Sequence, residues 1–242
     1  MPRYTTANDI ISRAATEVGL GPLTDAVSSS AAEETQLTAL LNGAGQELVE
    51  LYDWQQLTQE WAFSTVEGQG DYPLPDDFSR MTNQTGWDLT NQVPVGGPLT
   101  PQDWSYFEGR DLVSQSIYLS FRLDSDLFRV YPQPPPAGVS LRFEYTSRYW
   151  VKPTSGGNTE TIQNGSDTVL YDPIMMIKFL KCKWLEAKGH DASSARMEFD
   201  NLFEARTSGN KGAQKLNAGS TRHGINYINP YINSPDTNFG TF

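Results

Sequence analysis

The hydrophobic period of this 242-residue chain changes twice, and that change restricts its fold more than any other feature. Near both ends apolar residues recur every three to four positions, as on one face of a helix. Between them they alternate, as in a half-buried strand. Thr6 and Asp9 form a capping box, and Ile10, Ile11, Ala14, Ala15 and Val18 follow at helix spacing until Gly-Leu-Gly-Pro at 19–22 ends the run. Beyond a serine-rich loop, Ser30 and Glu33 make a second box. Behind it Leu37, Leu40, Leu41, Ala44, Leu48 and Leu51 form one apolar stripe. Gly43 and Gly45 interrupt that stripe, and each weakens a helix by about 1 kcal/mol relative to Ala. They are either tolerated there or mark a close approach by another helix.

From Trp61 to Tyr149 the pattern is one of strands and turns. Residues 61–66 read as a strand. Residues 117–123 and 127–131 flank Asp124, Ser125 and Asp126 as a hairpin. Residues 139–151 alternate, with Val139, Leu141, Phe143 and Tyr145 on one face, while the proline- and glycine-rich stretch 92–104 reads as loop. Helix period then returns. Asp172 suits an N-cap and Pro173 the first helical position. Ile174, Ile177, Leu180, Trp184 and Leu185 point inward, and Gly189 closes the helix. Asp191 caps a further helix that turns Ala195, Phe199, Leu202 and Phe203 inward and ends near Gly209.

The expected helices are therefore 6–19, 31–53, 172–188 and 191–208. Neither pair hides its stripe alone, so the two helical halves must pack together. The expectation is an α+β fold. N-terminal helices (1–57) and C-terminal helices (152–209) form one helical bundle, a mainly antiparallel β subdomain (58–151) is inserted between them, and 210–242 form an extended C-terminal arm. Trp184 and Leu48 are expected in the core.

Chemistry is sparse. The net charge of −11 argues against a free-standing nucleic-acid binder. The single cysteine excludes an intrachain disulfide, and Cys182 reads as a small buried hydrophobe. His190 and His223 are the only histidines, so a zinc site has too few partners, and no metal or cofactor is expected. His190 follows Gly189 at a helix end, where a cation suits the dipole. The Asp-Ser-Asp-Leu-Phe segment at 124–128 lacks the later ligands of an EF-hand loop. Asp76, Asp77, Asp124, Asp126 and Glu144 could supply a glycosidase-like carboxylate pair, which needs a separation of about 5–9 Å. Turn and cap chemistry is the reading preferred for them. No catalytic residue is assigned. No run of about 18 apolar residues exists to span a membrane. The N-terminus lacks a signal-peptide core, so an intracellular product is expected and the sequons at Asn83 and Asn164 carry no weight.

Four pieces occur in order: LLNGAGQELVELYDWQQL, GDYPLPDDFSRM, RVYPQPPPAGVSLRFEY and WLEAKGHDASSARMEFDNLFEAR, spread over residues 40–206. Together they resemble the head-to-tail adaptor (connector) proteins of tailed bacteriophages. The resemblance implies a non-enzymatic structural protein of the virion, made in the host cytoplasm. Such adaptors form a ring, usually a dodecamer, beneath the portal protein. A tail nozzle or tail-tube protein docks below, and DNA passes through the lumen without specific binding. A tail or receptor-binding structural protein and a carboxylate-dependent peptidoglycan hydrolase remain the alternatives.

The end of the chain stands apart. From Asn217 to Phe242 there is almost no charge and no helix or strand period. Arg206, Lys211, Lys215 and Arg222 lie in a stretch without an acid from Ala205 to Pro235; taking their +4 from −11 leaves −15 on the rest. This basic base is a solvated linker, a DNA contact, or a segment docking on an acidic protein surface. The expectation is an arm that becomes ordered on the portal, with Arg222 pairing to an acidic rim and Tyr227, Tyr231, Phe239 and Phe242 as anchors.

Overall fold

The computed structural model describes residues 4–109 and 119–210. In chain order these contain β1 (Thr5–Thr6), α1 (Ala7–Glu17), α2 (Ala32–Leu51), a 3₁₀ turn (Gln55–Leu57), β2 (Thr58–Ser64), β3 (Asp71–Pro73), β4 (Phe78–Met81), β5 (Trp87–Asp88) and β6 (Val93–Pro94). Then follow α3 (Pro101–Gly109), β7 (Ser120–Asp124), β8 (Leu127–Tyr131), β9 (Ser140–Ser147), β10 (Val151–Lys152), β11 (Thr168–Val169), α4 (Pro173–Ala187) and α5 (Ser193–Asn210). The class is α+β, with five helices and mainly antiparallel sheets among the described residues. They divide into two compact units, 4–58 with 146–210 and 59–145.

In the first unit α4 packs against α1, α2 and α5. One core holds Ile10, Ile11, Leu37, Leu41, Leu48, Leu180 and Trp184. Each fully buried aliphatic side chain there adds about 1.5–3 kcal/mol. Thr6 caps α1 through the Asp9 amide, as its sequence signature requires. The next two orphan amides of that helix, on Ala7 and Asn8, donate to the carbonyls of Asp167 and Gly165. A small sheet, β1–β11–β10, ties this loop to the helices.

Several sequence expectations change here. The Ser30–Glu33 box does not form: Ala31 is the N-cap and receives no side-chain bond. Ser29 instead accepts from the Ala31 amide. Leu51 is 53 % exposed, because the inward face runs through Leu48 and Val49 and arrives at Tyr52. Ile174 is 47 % exposed. The packed face of α4 runs through Met176, Leu180 and Trp184, and at 3.6 residues per turn Ile174 lies about 120° from Leu180. Gly45 marks a close approach, although by a side chain and not a helix: a Cβ there would overlap the Trp150 indole. Gly43 faces open space.

In the second unit one sheet has the order β2–β9–β5–β6, with β4 also on β9, and the other has the order β3–β8–β7. Aromatic residues from both meet at Phe128 and Phe143, whose ring centroids lie 4.6 Å apart. Val139, Leu141, Phe143 and Tyr145 are all buried, as their alternation implies. The β7–β8 hairpin pairs Asp124 with Leu127, so its loop is Ser125–Asp126, with Ser125 at φ +53°. Residues 139–151 are not one strand. β9 ends at Ser147, and Val151–Lys152 pairs with β11 in the first unit. Nor is 92–104 all loop. It contains β6 and the first turn of α3, where Thr100 accepts from the Asp103 amide and Pro101 takes the first helical position.

Candidate docking surface at the end of the helical unit

The last turns of α5 are held from two directions. Phe199 stacks on Phe179 at 4.1 Å, and Phe203 meets the rings of Tyr52 and Trp54 edge-on. The Trp54 indole N–H donates to the Leu48 carbonyl at 2.7 Å, which folds the chain after α2 back over its own last turn. This brings the Tyr52 hydroxyl to the Thr207 carbonyl, 2.9 Å away. On the other side Asp172 does two jobs. One carboxylate oxygen accepts from the amides of Ile174 and Met175 as the N-cap of α4. The other lies 3.1 Å from Arg206 Nη2. The end of α2, the start of α4 and the end of α5 therefore converge, with Leu51 and Ile174 exposed beside them.

Of the expected arm residues, only Arg206 falls in this region, bound to Asp172. Lys211, Lys215, Arg222, Tyr227, Tyr231, Phe239 and Phe242 lie outside the described residues, as does His223. Helical spacing places Leu51 and Ile174 inward, where the structure exposes both, and it does not reveal the second role of Asp172. An Asp cap thirty-odd residues before a cation carries no spacing signal, because only the tertiary fold joins them.

Of the acids that could have formed a carboxylate pair, Asp77 and Asp124 have their carboxylates engaged, and Asp126 and Glu144 are held through their backbones. Asp77 accepts from the Tyr145 hydroxyl at 2.7 Å. Burial first, and this partner second, hold the phenol above its ordinary value of 10. Asp124 lies 3.4 Å from Arg129. The Asp126 carbonyl accepts from the Leu74 amide in the hairpin loop. Glu144 sits in β9, its amide donating to Thr85 Oγ1. Cys182 is buried, and burial, then the nearby Glu186 carboxylate, push its thiol up. His190 is exposed and donates its amide to the Leu185 carbonyl. Among the described residues no group of three or more His, Cys, Asp or Glu side chains is placed to hold a metal ion. No helix among them is long and apolar enough to cross a membrane.

α4 carries most of the lysines of the helical unit, and acids from other helices meet them. Lys178 Nζ lies 2.9 Å from Glu17 of α1 and 3.1 Å from Glu198 of α5. Lys181 reaches Glu17 at 3.4 Å, and Lys183 reaches Glu47 of α2 at 2.6 Å. Burial raises the Glu17 carboxyl, but Lys178 and Lys181 outweigh it and hold the group below its ordinary 4.5. The basic helix is thus neutralised by its neighbours.

The four ordered sequence pieces pair off. The first and last meet at Tyr52, Trp54 and Phe203 in the helical unit. The second and third meet at Asp77 and Tyr145 in the β unit. Their aromatic and capping residues build the scaffold. Compared with known proteins, residues 5–223 match the family model described as SU10 adaptor protein. No curated protein matches the chain.

Proposed function

The chain belongs to the SU10 adaptor protein family, a phage head-to-tail adaptor family, and from that premise we propose that it assembles as a ring beneath the portal. As a member of such a family it is a structural virion component that interacts with other head and tail components. In the proposed reading the helical unit builds a ring, usually a dodecamer in such adaptors. A tail nozzle or tail-tube protein docks on its lower face, and DNA passes through the lumen. The net charge of −11 favours a lumen along which the duplex slides, because a basic channel would grip the phosphates.

The observation that carries the portal contact is the firm anchoring of α5 just before an acid-free, aromatic-bearing segment. From Asn217 about 26 residues remain, enough to reach roughly 80 Å when extended. A body of this size has a radius of gyration of about 17 Å, so the arm can pass its own domain and cross a neighbour. Fixing it costs about 1–2 kcal/mol per residue in backbone entropy. A portal groove offsets this through the ring faces of Tyr227, Tyr231, Phe239 and Phe242, while Arg222 pairs with an acidic rim.

The test is a chain ending before Asn217, mixed with purified portal particles and viewed by negative-stain microscopy. The shortened chain is expected to stay folded and soluble and to leave the portal bare, while the full chain adds a ring. Rings of the shortened chain on the portal, formed with unchanged affinity, would sink the arm and transfer docking to the helices.

A further inference from the structure

Two Asn-Gly pairs occur in the chain, Asn42–Gly43 and Asn164–Gly165. An asparagine before glycine is the kind most prone to lose its side-chain nitrogen, because no side chain shields the following amide nitrogen. The fold treats the two pairs in opposite ways. Gly43 lies inside α2, where its amide is committed to the helix ladder. Asn42 is half-buried, and its Oδ1 accepts from the Ile162 amide at 2.9 Å. Asn164 is exposed in the loop before β11. Among the described residues neither its side chain nor the Gly165 amide has a hydrogen-bond partner. Close packing favours the glycine: a Cβ at 165 would stand 3.1 Å from Asp25 Oδ1 and 3.3 Å from Asn8 Cβ. The same turn holds the start of α1. The carbonyls of Asp167 and Gly165 receive the amides of Ala7 and Asn8. Asp167 Oδ2 in turn accepts from the Gln163 and Asn164 amides at 2.9 and 2.8 Å, and the Asn164 carbonyl accepts from the Asp167 amide at 3.1 Å.

We propose that Asn164 is a self-modification site, and that its conversion to isoaspartate releases the start of α1. The Gly165 nitrogen attacks the side-chain amide carbon of Asn164 and gives up its proton to solvent. The side-chain nitrogen takes a proton from water and leaves as ammonia, so that a succinimide remains. Water then opens the ring at either carbonyl, giving aspartate or isoaspartate. Water is the co-reactant, and nothing is oxidised or reduced. In isoaspartate the main chain runs through the former side-chain carbon. That lengthens it by a carbon between two points the fold pins, the Asn164 amide on Asp167 and the Gly165 carbonyl on Asn8. The former Asn164 carbonyl becomes part of a carboxylate off the main chain, and the turn bond from the Asp167 amide is lost with it. The lengthened turn cannot keep both ends in place, so the amides of Ala7 and Asn8 lose their acceptors.

The experiment incubates the full-length chain at mildly alkaline pH, with a parallel sample in urea, and follows both Asn-Gly peptides by digestion and mass spectrometry. In the folded chain Asn164 should convert about tenfold faster than Asn42 or more, since the Gly43 amide is released only when α2 opens. In urea the two rates should converge, because the pairs are then chemically alike. Hydrogen exchange should next show the amides of Ala7 and Asn8 losing protection in the aged chain. Asn164→Asp adds the charge without lengthening the main chain and should keep that protection. Aged Asn164→Gln should keep it too, since its longer side chain closes a ring far more slowly. Equal rates at Asn42 and Asn164 in the folded chain would overturn the proposal. So would protection of Ala7 and Asn8 that survives conversion to isoaspartate, or that is lost equally in the aged Gln variant.

Discussion

Gly43 and Gly45 differ only in what stands over them, and that difference predicts opposite outcomes. A methyl at Gly45 enters the Trp150 indole, which is fully buried and stacked on Tyr171 at 5.8 Å, so it has nowhere to move. Gly45→Ala should cost about 1–3 kcal/mol in urea unfolding, the usual range for overpacking. Gly43→Ala meets open space and should stabilise the chain by about 0.5–1 kcal/mol through helix propensity. Equal effects at the two sites would refute the packing account. Leu48, fully buried behind the same stripe, should lose about 2–5 kcal/mol on substitution by Ala. Sequence alone left the glycines undecided. The tryptophan that decides between them lies about a hundred positions away, and no local pattern announces it.

Helix ends show which elements could be read in advance. Thr6 and Asp172 cap as their spacing says, and Asp191, one residue ahead of the cap position of α5, still accepts from the Ser193 amide, because a side-chain oxygen one to three residues ahead of a free amide is a local arrangement. Thr100, Pro101 and Asp103 carry the same signature, yet the prolines and glycines before them disguised α3 as loop. Thr100→Ala should therefore cost about 1 kcal/mol and loosen Trp104, which α3 buries beside Tyr131. Fluorescence of that tryptophan during unfolding would report it; an unchanged transition would remove the cap from the account. The seam between α1, α4 and α5 was not legible, since its charges are far apart in sequence. It makes a pH prediction. The Glu17 carboxyl is held below 4.5 in the folded chain, so its contribution is present above the unfolded value and is lost as pH falls through the folded one. Lys178 is held above 10.5, chiefly by its bond to Glu17, so its contribution is lost only as pH rises past that value. Between these limits the seam is intact. Glu17→Gln should lower stability at neutral pH by less than about 1 kcal/mol, as befits half-exposed pairs. It should also flatten the acid limb below pH 4.5. An acid limb identical to that of the parent would place the titration elsewhere.

At the scale of the whole molecule the change of hydrophobic period marked where helices give way to strands, but not how self-sufficient each part is. Among the described residues the core of the helical unit draws none from 59–145, and the aromatic core of the β unit draws none from outside that span. Among the described residues the chain passes between the units at 58–59 on β2 and at 145–146 on β9, and these strands are neighbours in one sheet. Hydrogen-bonded neighbours lie about 4.8 Å apart, so the two cut ends can be joined by two or three glycines. The insert already holds its own ends together through that pairing, so removing it neither relieves nor imposes much loop-closure entropy. Replacing 59–145 with such a linker should leave a helical protein that unfolds in one cooperative transition. The seam and the Gly45–Trp150 packing should persist, so Gly45→Ala should cost the same in the shortened chain as in the parent. Far-ultraviolet circular dichroism and urea unfolding would measure both. A shortened chain that keeps helix but loses the cooperative transition would mean that the helical core depends on the β unit after all. The ring-building proposed for the helical unit would then have to be assigned to both units acting as one cooperative body.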